Sequence, residues 1–180
     1  GARHRRAAAV ADPLPRARGL GLGQAEARRA AGSAAARRGA VALLAQLRLL
    51  AARRPDATVT LVGHSYGALV VGLAARRSPA AVTDVVTLGG VGVGVDRAGD
   101  LDRVRIWAAE APADWIRRVP EVRLPGLGHG VRPGDPAFGA RPLPTTGVSG
   151  HDGYLAAGGA TTAAVASVVL ADPADLAVAP

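Results

Sequence analysis

The sequence predicts an α/β fold in three layers, with a mostly parallel sheet held between helices. Three observations predict it. Short β-branched apolar runs alternate with helix-forming stretches, the order that builds parallel strands with helical crossovers. The runs are apolar at nearly every position rather than at every second one, as expected of strands covered on both faces. Hydrophobic residues make up 49% of the 180 residues, which is ample for one core. With aromatics at only 3%, that core has to be built from Ala, Val and Leu. The length predicts one domain over residues 1–180, with its core at about 7–171.

The first strand is predicted at Ala7 to Ala11, where a short apolar segment is closed by Asp12-Pro13. A Pro/Gly/Arg loop follows over Leu14 to Gly23. Gln24 to Arg54 is strongly helix-forming, with a break expected near Gly32-Ser33. In its second part Leu43, Leu47 and Leu50 share a face, joined by Leu44, while Arg37, Arg38, Arg48 and Arg53 occupy the others. Pro55 ends the helix. Thr58 to Val62 reads as a buried strand, and Ala68 to Arg76 as the helix behind it. Thr83 to Leu88 is the next strand, before a Gly-rich loop at 89–94, and Val104 to Ala108 is another. After a Pro/Gly-rich stretch over 120–150 comes an Ala/Val helix near 158–171.

Charge and composition exclude several classes. The net charge is +8, unevenly spread. Residues 1–54 carry 12 Arg against Asp12 and Glu26, a net +10, and the remainder carries 10 Arg against 12 acids, a net −2. A basic half invites a nucleic-acid reading. No aromatic residue lies among those arginines and no binding motif is present, so a solvated helix face is expected and no nucleic-acid partner. There is no Cys, so disulfides and metal–thiolate sites are excluded. No uninterrupted apolar run is long enough for a membrane span, since Gln46 and Arg48 split the best candidate. No signal peptide is visible, which favours the cytoplasm over secretion.

The chemistry concentrates at Gly63-His64-Ser65-Tyr66-Gly67, a G-x-S-x-G pattern. With 24 Gly and five Ser in the chain, about 0.09 chance matches are expected, so the pattern needs its context. That context is present: a strand runs into the pattern and a helix leaves it, the layout of a nucleophile elbow. Such a turn holds the serine in a strained backbone with its hydroxyl exposed. Ser65 is therefore the candidate nucleophile.

A serine hydroxyl needs a base, and the base needs a carboxylate to hold its tautomer. In hydrolases built around this elbow the chain order is Ser, then acid, then His. Of the four histidines, His4 precedes the fold, and His64 is expected to leave the turn in another direction and pack locally. His129 and His151 both lie in loops, and the residues alone leave both open. For the acid, Glu110 and Asp114 follow the strand at 104–108, Asp96 follows the one before, and Asp152 is too close to His151 to be preferred. Asp114 sits where a loop turns into Trp115-Ile116, a position that also suits a plain helix cap. Asp114 is the preferred acid.

Four blocks occur in order: Leu61 to Gly67, Thr87 to Asp96, Asp135 to Ala140 and Gly150 to Tyr154. Together they resemble the actinobacterial α/β-hydrolase family known as domain of unknown function 1023, over about residues 7–171. One departure is Gly89-Gly90-Val91-Gly92, where that family usually has Gly-Ser-Pro-Gly. The resemblance implies an α/β-hydrolase fold whose last strand falls at roughly Gly139 to Pro144. It also implies His151 as the base, Asp114 as the acid and a structural role for Asp96. Val122 to His129 also looks like the strand-to-histidine step of other hydrolases, so His129 remains the alternative. Relatives have an earlier strand and a loop before the segment at Ala7, and that loop supplies one oxyanion amide. The chain is thus expected to be N-terminally truncated, with the amide of Tyr66 as its remaining oxyanion donor. The expected activity is hydrolysis of an ester or related acyl bond of a small molecule, with no cofactor and no metal. A non-catalytic binding module of the same fold is the first alternative, and an arginine-rich nucleic-acid binder using residues 1–54 is the second.

Overall fold

The computed structural model describes residues 7–11, 22–78, 81–119 and 130–170. Its centre is a five-stranded sheet in the order β1 (Ala7–Ala11), β2 (Val59–His64), β3 (Val82–Leu88), β4 (Arg105–Ala109) and β5 (Arg141–Pro142). Every neighbouring pair is parallel, so all five strands end at one edge of the sheet. Loops that follow strands meet there, which is where open α/β sheets place their ligands.

Two helices connect the first three strands, α1 (Leu22–Arg53) and α2 (Gly67–Ala75), and a third, α3 (Ala160–Leu170), follows β5. Alternation along the strands sorts the layers. Leu61 of β2 and Val85 of β3 pack with Ala40 and Leu47 of α1 and Val71 and Ala74 of α2. Their neighbours Val62 and Val86 face the other way, onto Val165 and Val168 of α3. Helices on both faces explain why the strands lack polar alternation. Below β4 the cover is irregular: Val93, Leu101, Val131 and Phe138 close over Ile106.

The fold is the three-layer α/β sandwich that the sequence predicts, with two local differences. The expected break at Gly32-Ser33 is absent, and α1 runs through without interruption. Gly32 is there for clearance: a Cβ on it would stand 2.8 Å from the Tyr66 hydroxyl. The last strand contracts to the two residues of β5. The leucine face reads as expected, with Leu44 and Leu47 buried, while Arg37, Arg38, Arg48 and Arg53 are exposed. Most of the loop expected at Leu14 to Gly23 and all of 120–129, including His129, lie outside the described residues, as does His4. No helix among the described residues is long and apolar enough to cross a membrane.

One polar cluster braces the sheet away from the strand ends. Asp84 is 1% exposed, yet it accepts hydrogen bonds from Arg105 Nε and Nη2, Trp107 Nε1 and Thr83 Oγ1, each at 2.8 Å. Burial alone would raise its pKa, but these donors outweigh burial and hold the carboxyl below its ordinary range. The Arg141 guanidinium stacks on the Trp107 ring at 5.1 Å and ties β5 to the same cluster.

Candidate active site

β2 ends at His64 and α2 begins at Gly67, so Ser65 and Tyr66 make the whole turn. Ser65 has φ of 53°, in the left-handed region that a non-glycine residue occupies at a cost of about 1–2 kcal/mol. Three backbone hydrogen bonds hold it there: Ser65 N–H donates to the Leu88 carbonyl at 2.9 Å, and the Ser65 carbonyl accepts from Ala68 N–H at 3.2 Å and Val91 N–H at 3.4 Å. Strand and helix approach so closely that a Cβ on Gly63 would lie 2.7 Å from the Gly67 carbonyl and from a Val71 methyl. The elbow's glycine requirement is therefore a matter of contact distance. Tyr66 occupies the N-cap of α2, where backbone amides lack intrahelical acceptors.

Asp114 lies in the loop after β4 and is 2% exposed. It caps the short turn Trp115–Arg118, its Oδ1 accepting from Ile116 N–H at 2.9 Å. The same carboxylate faces His151 Nδ1, with Oδ1 at 2.9 Å and Oδ2 at 3.0 Å, and accepts a 2.6 Å hydrogen bond from the Tyr154 hydroxyl. Helix cap and partner of a histidine, left as alternatives by the sequence, are thus both true of this residue. Burial by itself would raise the Asp114 pKa; hydrogen bonds from Tyr154, Ile116 and His151 prevail and lower it, so the group is an anion. Tyr154 accepts in turn from Ala111 N–H at 2.9 Å. Burial and the Asp114 carboxylate push its phenol well above the ordinary range, which keeps it a donor.

His151 sits in the loop between β5 and α3. Opposite a carboxylate, Nδ1 must be the protonated nitrogen, which leaves the Nε2 lone pair available. Nε2 is buried and has no hydrogen-bond partner among the described residues, so Ser65 is not hydrogen-bonded to it in this structure. The pair fits together only because residue 89 has no side chain. Gly89 has φ of 53°, and a Cβ there would stand 2.6 Å from Asp114 Oδ2 and 3.1 Å from His151 Nδ1.

The remaining candidates separate cleanly. Glu110 bonds Arg132 at 2.5 Å and lies 3.5 Å from Arg117, and it makes no hydrogen bond to a histidine among the described residues. Asp96 and Asp152 are exposed. No group of three or more His, Cys, Asp or Glu among the described residues is placed to hold a metal ion. A cleft of about 340 Å³ between the loops after β4 and around β5 is lined by Ala108, Glu110, Pro133 and Thr145, without Ser65 or His151.

Two residues at the site carry no role in the sequence reading. Tyr154 closes the block that begins at Gly150, and its membership of that block, three residues after His151, is the available signal. His64, expected to pack locally, reaches His151 instead: its Nε2 lies 2.7 Å from the His151 carbonyl oxygen, with ring centroids 4.7 Å apart. Nothing local in the sequence marks that contact, because the two are 87 residues apart.

A family profile described as alpha/beta hydrolase matches residues 21–124, the segment that carries Ser65 and Asp114. No curated protein matches the chain.

Proposed function

The chain belongs to the alpha/beta hydrolase family, and on that premise we propose that it is a serine hydrolase cleaving an ester or related acyl bond of a small molecule. The observation that carries this reading is the Asp114–His151 pair at 2.9 Å, at the same sheet edge as the strained Ser65. In the proposed reaction Ser65 Oγ attacks the acyl carbon while its proton passes to His151 Nε2. Asp114 holds Nδ1–H and stabilises the imidazolium; it is not itself protonated. The Tyr66 amide, at the start of α2, donates to the oxyanion. The tetrahedral adduct then collapses: the C–O bond to the leaving group breaks, and the leaving oxygen takes the proton from Nε2. Water repeats the two steps on the acyl-enzyme, releasing the acid and free Ser65.

The test is hydrolysis of p-nitrophenyl butyrate by wild type and Ser65→Ala, with labelling by a fluorophosphonate probe in parallel. We expect S65A to abolish labelling and to lower kcat by at least about 1,000-fold. Equal rates for the two proteins would overturn the proposal. The open Nε2 of His151 favours a second reading, a hydrolase-like module that binds without catalysis. A wild type that binds an acyl ester but takes no probe would support that instead.

A further inference from the structure

We propose that His64 is a positioning residue for the same reaction, holding the loop of the general base at a set distance from the nucleophile. This rests on the reading of Ser65 and His151 as nucleophile and base.

The loop that bears His151 has no regular structure. Among the described residues, one hydrogen bond ties the His151 peptide to the rest of the protein, and it comes from His64 Nε2 to the His151 carbonyl at 2.7 Å. A carbonyl only accepts, so Nε2 of His64 carries the proton and donates. The His64 ring also lies against the His151 ring, at 4.7 Å between centroids, and 6.1 Å from the Tyr154 ring. Trp115 makes a further ring contact to His151 at 4.6 Å.

The origin of this tether matters as much as its length. His64 is the last residue of β2, paired in register with Leu88 of the neighbouring strand, and Ser65 is the next residue. One peptide bond and one hydrogen bond thus connect the nucleophile to the backbone of the base. Asp114 fixes the direction of the imidazole from the loop after β4; His64 fixes the loop from the nucleophile's strand. Without that hydrogen bond the Asp114 contact remains, but no other hydrogen bond among the described residues reaches the His151 peptide.

The experiment compares His64→Gln with His64→Asn. The Gln amide nitrogen lies about as far from the backbone as histidine Nε2, whereas the Asn amide nitrogen reaches only the position of Nδ1. On p-nitrophenyl butyrate, H64N should lower kcat by about 10- to 100-fold, the scale of a small misplacement of a catalytic group, with KM within about threefold. H64Q should recover kcat to within about fivefold of wild type. The inference is overturned by wild-type kcat in H64N, by H64Q as impaired as H64N, or by a loss carried in KM. Ser65→Ala and His151→Ala separate the two levels. If both abolish hydrolysis while H64N is undisturbed, only the role of His64 fails. If wild type neither hydrolyses the ester nor takes the fluorophosphonate probe, the nucleophile and base fail and this inference with them.

Discussion

Gly89→Ala is the most direct test of how the acid and the base are held together. A Cβ at residue 89 would stand 2.6 Å from Asp114 Oδ2, against an ordinary contact of at least 3.4 Å, so about 0.8 Å of displacement is required. The carboxylate has little freedom to yield, since it holds hydrogen bonds from Ile116, His151 and Tyr154. If Oδ2 gives way by that amount away from Tyr154, their 2.6 Å bond stretches past the roughly 2.5–3.0 Å usual for O–H···O and is lost or much weakened. Losing one hydrogen bond to a charged group costs about 1.5–3 kcal/mol. Placing Ala at φ of 53° adds about 1–2 kcal/mol. The variant should therefore be less stable by about 2.5–5 kcal/mol in urea unfolding. If Asp114 orients the base, kcat should also fall by about 100-fold under conditions where the protein is folded. A G89A protein within about 0.5 kcal/mol of wild type would refute the packing argument. A destabilised variant with unchanged kcat would instead refute the role of Asp114.

Two further outcomes follow from the same contacts. Tyr154→Phe keeps the ring but removes the hydroxyl that joins Asp114 to Ala111 N–H, so it should cost about 1–3 kcal/mol by chemical denaturation; a neutral substitution would show that this bridge adds nothing. Asp84 sets an acid limit on stability. Its folded pKa lies below the unfolded value of about 3.9, so its contribution is present above that pH and is lost as pH falls through the folded pKa. Urea midpoints measured from pH 6 to pH 2 should therefore drop at the acid end. In Asp84→Asn that drop should shrink while stability at pH 6 falls, because Arg105 and Trp107 lose their acceptor. An unchanged acid slope would count against the cluster.

Much of this architecture is legible in the amino-acid order because the signals are local. Val59–His64 and Val82–Leu88 are legible as continuous apolar runs, because both faces of each strand are covered, and α1 is legible by the helical spacing of its leucine face. The elbow is legible because its signal is local too: Gly63 must clear Gly67, Ala68 and Val71, all within eight residues of it. The continuity of α1 through Gly32-Ser33 is not, because Gly32 answers to Tyr66 on another element rather than to helix propensity.

By itself, then, the sequence determined the layer order, the parallel sheet and the strained serine, all of which follow from short-range sterics and from burial pattern. It also narrowed the acid and base to a few loop residues. Only the tertiary structure decided that Asp114 and His151 meet, that Glu110 is occupied by Arg132, and that His64 turns back onto the His151 loop. Those choices depend on loops brought together at one edge of a parallel sheet, across 37, 22 and 87 residues of chain. No local preference encodes a partner at that separation. The sheet does, by ending all its strands on the same side.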